Sequence, residues 1–288
     1  DDVESRGLGD VYKRQIKLCD LTTLTGVKSP SVETNNSSPT KVTRIKVEGG
    51  DSITVSETSV LFGKDFKAQI STVVLFRILN RDLHVLNESW KSFHKVIFKL
   101  FQTGLIEPDF FPQFQTQYKL AKLPRIRPEV SLTRSTVTKG LFSTFASYLK
   151  GDDEPTDEEV EATLSAVDCI KSSGVHTFFQ NPGALVSGND TVLKAVLDTL
   201  PTERTPENEK TYEADLFFTL ENALVLALSS PESTSELNTL LEYIEKVESA
   251  ENNKKLNSSM FLRLTTYKLI IINNSQQVSA ESVKKSID

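Results

Sequence analysis

The sequence predicts an all-α protein, a HEAT- or armadillo-like helical solenoid interrupted by an irregular basic loop and a short amphipathic helix. Three observations carry this expectation. Apolar residues recur every three or four positions from Phe66 onward, the periodic stretches run for roughly three to five turns between short breaks, and the polar–apolar alternation that marks strands is nearly absent. No repeat period is visible, so the solenoid rests on helix length and spacing.

The elements follow in order. Residues 28–60 are rich in Ser, Thr, Asn and Pro with few large apolar groups, which reads as a flexible loop that burial does not offset. Phe66, Ile70, Val73, Val74 and Ile78 predict a helix from about Asp65 to Leu79. A stronger pattern, Leu86, Trp90, Phe93, Ile97, Leu100 and Phe101, predicts a second from about Val85 to Thr103, stopped by Gly104 and Pro108. Its Trp90 sits mid-stripe and reads as a core residue. Residues 105–139 carry Pro108, Pro112, Pro124 and Pro128 without sustained periodicity, an irregular excursion. A short amphipathic stretch, Leu141 to Leu149, leads to the acidic linker Gly151 to Pro155. Thr156-Asp157-Glu158-Glu159 is a capping-box signature opening a helix whose buried face is Val160, Leu164, Val167 and Ile170. Further helices are marked by Val192 to Leu200, by Leu216 to Leu228, by Leu237 to Val247 and, less regularly, by Phe261, Leu264, Leu269 and Ile271.

The function classes are bounded by composition. Charged residues make up 25% of the 288, and the net charge of −6 leaves the whole molecule no footprint for nucleic acid. Cys19 and Cys169 stand far apart, and His84, His94 and His176 are scattered, so neither a disulfide framework nor a zinc site is expected, and no cofactor. No apolar run approaches the ~18 residues that a membrane span needs. Motifs for a nucleophile elbow, a phosphate loop or a dinucleotide fold are missing. The carboxylates of Asp152 to Glu159 read as a solvated linker and a first helical turn favoured by the helix dipole, and His176 as a loop or satisfied histidine.

Charge is segregated, however. From Lys119 to Lys150 seven basic residues (Lys119, Lys122, Arg125, Arg127, Arg134, Lys139 and Lys150) face one acid, Glu129, a local +6 in an acidic chain. Wound as a helix, 141–149 puts Leu141, Phe142, Phe145, Ala146, Tyr148 and Leu149 on one side and Ser143, Thr144 and Ser147 on the other, with Lys150 following. Bulky apolar groups flanked by Arg134, Lys139 and Lys150 suit an interfacial helix on an anionic membrane; a short helix docked on the solenoid is the alternative.

Several stretches resemble a known family. Ile16 to Leu24, Phe62-Gly63-Lys64-Asp65-Phe66-Lys67-Ala68-Gln69, Asn87-Glu88-Ser89-Trp90-Lys91, Val96 to Ile106, and Ala166-Val167-Asp168-Cys169-Ile170-Lys171 are similar to the region following the exchange domain of the large Golgi-type Arf guanine-nucleotide exchange factors, the brefeldin-A-resistance type, in its fungal branch. The resemblance implies a cytosolic α-solenoid peripheral on Golgi membranes, whose partners are Golgi lipids, neighbouring helical domains and, through an exchange domain outside this chain, an Arf GTPase. It implies no catalytic residue here, but a regulatory and membrane-targeting role in vesicle trafficking. The expected organisation is 1–15, which resembles a translated cloning adaptor; 16–60, a partial helix and loop; 61–150, a first downstream homology region with the membrane helix; and 156–288, a second. The competing reading is a generic helical-repeat scaffold for protein partners.

Overall fold

In the computed structural model the chain is mostly helical. The structure describes residues 16–24, 42–46, 52–81, 89–106, 111–123, 130–133, 155–187, 190–206, 208–209, 211–230, 233–252 and 258–274. They fall into two compact units that interleave along the chain: the first joins residues up to Phe110 with Arg125–Phe179, and the second joins Phe111–Pro124 with everything from Gln180.

The first unit contains strands that the sequence pattern did not announce. Strands β1 (Thr43–Lys46) and β2 (Ser52–Val55) lie within the stretch expected to be a loop, and β3 (Val130–Thr133) lies within the expected irregular excursion. The sheet order is β2-β1-β3. β1 and β2 are antiparallel with Ile45 opposite Ile53, and β3 runs parallel to β1. Alternate residues Thr43, Ile45, Ile53 and Val55 are buried, as one covered face requires.

Helix α1 (Glu57–Lys64) follows β2 directly, opened by a capping box in which Ser56 Oγ accepts from the Ser59 amide at 3.2 Å and Ser59 Oγ accepts from the Ser56 amide at 2.9 Å. α2 (Phe66–Arg81) comes next, with Asp65 Oδ1 accepting from the Ala68 amide at 3.0 Å. α5 (Asp157–Ser173) packs against α1, α2 and β2, after α3 (Trp90–Gln102) and, in the second unit, α4 (Pro112–Gln117). The predicted capping box opens α5: Thr156 Oγ1 accepts from the Glu159 amide at 3.2 Å and Glu159 Oε2 accepts from the Thr156 amide at 2.7 Å. Gly174, with φ of 81°, ends it in the left-handed conformation and hands over to α6 (Val175–Phe178).

Of the stripe read from the sequence, α3 buries Trp90, Phe93, Ile97, Leu100 and Phe101, and Leu86 lies outside the described residues. Trp90, Phe93 and Phe76 of α2 gather around Phe178 of α6, with Phe93 and Phe178 ring centroids 5.0 Å apart and edge-to-face. His94 is buried on the same helix, and burial lowers its pKa to about 4. Unfolded, it returns to about 6.5. The fold therefore holds neutral histidine, and the stability this contributes is complete above pH 6.5 and is lost as pH falls from there through 4. We expect unfolding in urea at pH 4.5 against pH 7 to show a loss of about 2–3 kcal/mol attributable to this side chain. His94→Gln should remove that part of the pH dependence; an unchanged profile would refute the assignment.

The second unit is built around one helix. α9 (Tyr212–Leu228) is buried on nearly its whole circumference, as a helix apolar on all sides must be. α7 (Pro182–Val186), α8 (Asp190–Leu197), α10 (Thr234–Asn252) and α11 (Ser258–Asn274) pack against it. α10 buries the predicted Leu237, Leu240, Leu241, Ile244 and Val247. α11 forms where the less regular pattern marks it, with Phe261 and Leu269 exposed and a core face of Met260, Leu264, Tyr267, Ile270 and Ile271 together with Arg263.

That arginine belongs to a buried polar cluster inside the second unit. The Glu221 carboxylate accepts from Arg263 Nη2 at 2.6 Å, Tyr267 Oη at 2.7 Å and Gln115 Nε2 at 2.6 Å. Arg263 Nε donates to Tyr267 Oη at 2.7 Å, and its Nη1 donates to the Ala121 carbonyl at 2.9 Å. Burial pushes the Tyr267 phenol well above its ordinary value, with the Glu221 charge adding to it. Against the desolvation that would lower it, Tyr267 and Glu221 hold the Arg263 guanidinium above its usual range. The cluster pins the segment after Phe111 to α9 and α11.

Candidate interaction cleft

The first unit carries an open cleft of about 900 Å³ between α2 and α5. Its construction begins with small residues. Where α1 and α5 cross, Gly63 lies so close that a Cβ placed on it would stand 1.8 Å from the Ala162 carbonyl oxygen. Ala68, Ser71 and Thr72 of α2 and Ala162, Thr163 and Ala166 of α5 are likewise buried. Small side chains let the backbones approach, and the larger apolar groups are displaced to the flanks.

α2 forms where the spacing predicts it, but not with that stripe inward. The buried face is Ala68, Ser71, Thr72, Leu75, Phe76 and Leu79, while the stripe that announced the helix looks outward, with Phe66 74%, Ile70 47%, Val74 39% and Ile78 39% exposed. On α5 the predicted Val160, Leu164 and Val167 are only half-buried, and Ile170 alone of that set is fully covered.

The floor is latched by polar groups. Gln69 Nε2 donates to the Gly63 carbonyl at 2.7 Å and to the Phe62 carbonyl at 3.2 Å. Cys169 Sγ donates to the Gln69 carbonyl at 3.6 Å. The apolar lining is Phe66, Ile70, Val73, Val74 and Leu164, with Glu161 and Asp168 on the α5 side and Arg77 on the α2 side. Among the described residues no histidine lines it, and burial pushes the Cys169 thiol up to about 11, away from the thiolate form. It has the chemistry of a groove for an apolar helix face or chain segment.

Arg134, Lys139, Leu141, Phe142, Phe145, Tyr148, Leu149 and Lys150, the membrane-binding set expected from the sequence, lie outside the described residues. Of the other basic residues in that stretch, Lys119 and Lys122 are exposed. Trp90 is in the core, and His176 is exposed on α6. Among the described residues no helix is long and apolar enough to cross a membrane.

No protein-family model matches the chain. ARF guanine-nucleotide exchange factor 2 of Saccharomyces cerevisiae is 37% identical over 243 residues, 81% of this chain and 16% of that protein. ARF guanine-nucleotide exchange factor 1 of the same yeast is 32% identical over 263 residues, 89% of this chain and 18% of that protein. This chain is homologous to the ARF guanine-nucleotide exchange factors. An uncharacterised protein of Schizosaccharomyces pombe is 29% identical over 269 residues, 84% of this chain and 18% of that one. The chain thus spans less than a fifth of the length of these exchange-factor relatives. Phe62 to Gln69, one of the stretches that carried the resemblance, has a structural meaning here: it supplies the buried Phe62, the close approach at Gly63, the helix cap at Asp65 and the latch at Gln69.

Proposed function

We propose that this chain is a non-catalytic, regulatory and membrane-targeting part of an ARF guanine-nucleotide exchange factor acting in Golgi vesicle trafficking. The observation that carries the reading is its identity with two such factors over most of its own length and a small share of theirs. On this reading exchange on the Arf GTPase is performed by a domain elsewhere in the parent protein. The two units form part of a HEAT- or armadillo-like helical array that contacts neighbouring helical domains, and the parent is cytoplasmic and peripheral on Golgi membranes. The exposed apolar cleft favours a second reading, a helical scaffold that takes a protein partner in the groove of the first unit.

Membrane contact is assigned to Leu141 to Leu149. Burial of Leu141, Phe142, Phe145 and Leu149 at a lipid interface contributes about 1.5–3 kcal/mol for each side chain fully buried. Arg134, Lys139 and Lys150 add about 1 kcal/mol each where they come close to an anionic surface, and Tyr148 suits the headgroup level. Substituting both Phe142→Asp and Phe145→Asp should abolish flotation of the 288-residue chain with phosphatidylserine-containing liposomes while its far-UV circular dichroism stays helical. Flotation equal to that of the parent sequence would overturn the membrane assignment, and loss of the helical spectrum would make the segment a core element instead.

A further inference from the structure

We infer that the α2–α5 cleft is an intramolecular dock for the chain's own segment Leu141 to Leu149, which sequesters the same apolar side chains when no lipid surface is present. The inference goes beyond the membrane reading and does not depend on it. Three observations select this occupant over others. The first is an unfilled apolar surface of the right kind: Phe66, Ile70 and Val74 form an i, i+4 ridge left open beside Val73 and Leu164. The segment offers its own ridge at the same spacing, Leu141, Phe145 and Leu149, with Phe142 beside it. Two such ridges interdigitate in the commonest class of helix packing.

Connectivity supplies the second. Residues 134–154 connect the end of β3 to the start of α5, the helix that walls the cleft. Leu149 and Thr156 are seven positions apart, a reach of up to ~23 Å. α5, with its 17 residues, is about 25 Å long, and its lining positions begin at Glu161, little more than one turn in. A tether this short holds the segment at a local concentration that no free partner matches.

The third is charge. Arg134, Lys139 and Lys150 are the only charged residues from 134 to 150, and all are basic. Among the described residues the cleft presents Glu161 and Asp168 against one cation, Arg77.

Cys169 lines the cleft and serves as the reporter. In the full 288-residue chain without lipid, Phe145→Cys should form a disulfide with Cys169 under copper–phenanthroline at least about tenfold faster than Ser143→Cys, whose side chain lies on the polar face of the segment. The slow thiol of Cys169 is common to both variants, so the ratio reports placement. Cys169→Ser should abolish the product, which excludes the buried Cys19 as the partner thiol. Adding Ile70→Asp with Val74→Asp, both at exposed positions, should erase the advantage of Phe145→Cys. Equal rates for the two cysteine positions would overturn the inference. So would an advantage that survives the cleft substitutions, or a product that is dimeric on a non-reducing gel and thus places a second copy in the cleft. Failure of liposome flotation would leave this result untouched, and failure of cross-linking would leave the membrane reading standing.

Discussion

Glu221→Ala is expected to destabilise the second unit by about 3–5 kcal/mol, because it strands a buried guanidinium without its counter-charge. Glu221 is fully buried and Arg263 is 8% exposed, so water does not replace the lost contact. The substitution also removes the acceptor of Gln115 and Tyr267 in one step. Glu221→Gln keeps the shape and one carbonyl acceptor, and should cost less, about 1.5–3 kcal/mol. Urea unfolding followed by far-UV circular dichroism measures both. The chain has a single tryptophan, Trp90, and it sits in the first unit, so its emission recorded alongside reports which part of the protein unfolds. A loss below ~1 kcal/mol for Glu221→Ala would mean that the carboxylate is hydrated or replaced, and that the cluster is not what holds the segment from Phe111 onward.

Gly63→Ala is expected to cost about 3 kcal/mol, at the upper end for an overpacked core. The atoms that its methyl would meet are backbone, the Ala162 carbonyl oxygen at 1.8 Å and carbon at 2.5 Å, and a helix backbone does not rotate aside as a side chain does. Trp90 emission in urea should show the shift directly. Gly183→Ala is the matched control: a Cβ there meets nothing closer than 3.6 Å, and helix propensity favours alanine at such a site. If Gly63→Ala unfolds with the parent midpoint, the α1–α5 crossing is wider than the geometry described, and the account of why α2 displays its large residues fails with it.

The contrast between these two glycines also marks what was legible in the sequence. Where helices meet through large side chains, the spacing of those side chains locates the core: α3 and α10 bury the residues their periodicity names. Local chemistry was equally readable, since the capping box at Thr156 and Glu159 needs only its own four residues. The first unit hides its packing from such a reading. Helices that approach through Gly63, Ala68, Ala162 and Ala166 place their weakest hydrophobicity at the contact and their strongest outside, so on α2 the visible stripe located the helix but not its buried face. The cleft was missed for that reason. The strands were missed because four residues carry too little periodicity, and β1 needs β3, more than 80 positions later, beside it. Gly49-Gly50 between the apolar pairs was the one hairpin signal present. On α11, Arg263 and Tyr267 displaced the apolar reading because Glu221, a distant residue, makes their burial favourable.

The interleaving of the two units has a consequence for biosynthesis. Gln115 and Glu221 are separated by 106 positions, and Arg263 reaches back 142 positions to the Ala121 carbonyl. At elongation rates of about 5–20 residues per second, the nascent segment carrying Phe111, Phe114 and Leu123 waits roughly 5–20 s on the ribosome before the helix that covers it has even been made. For the first part of that interval the first unit is incomplete as well, because α5 lies between the two halves of the second. The first unit is complete once Phe179 has been made, whereas the second waits for α9 and α11, so its early aromatic stretch stays longest without its cover.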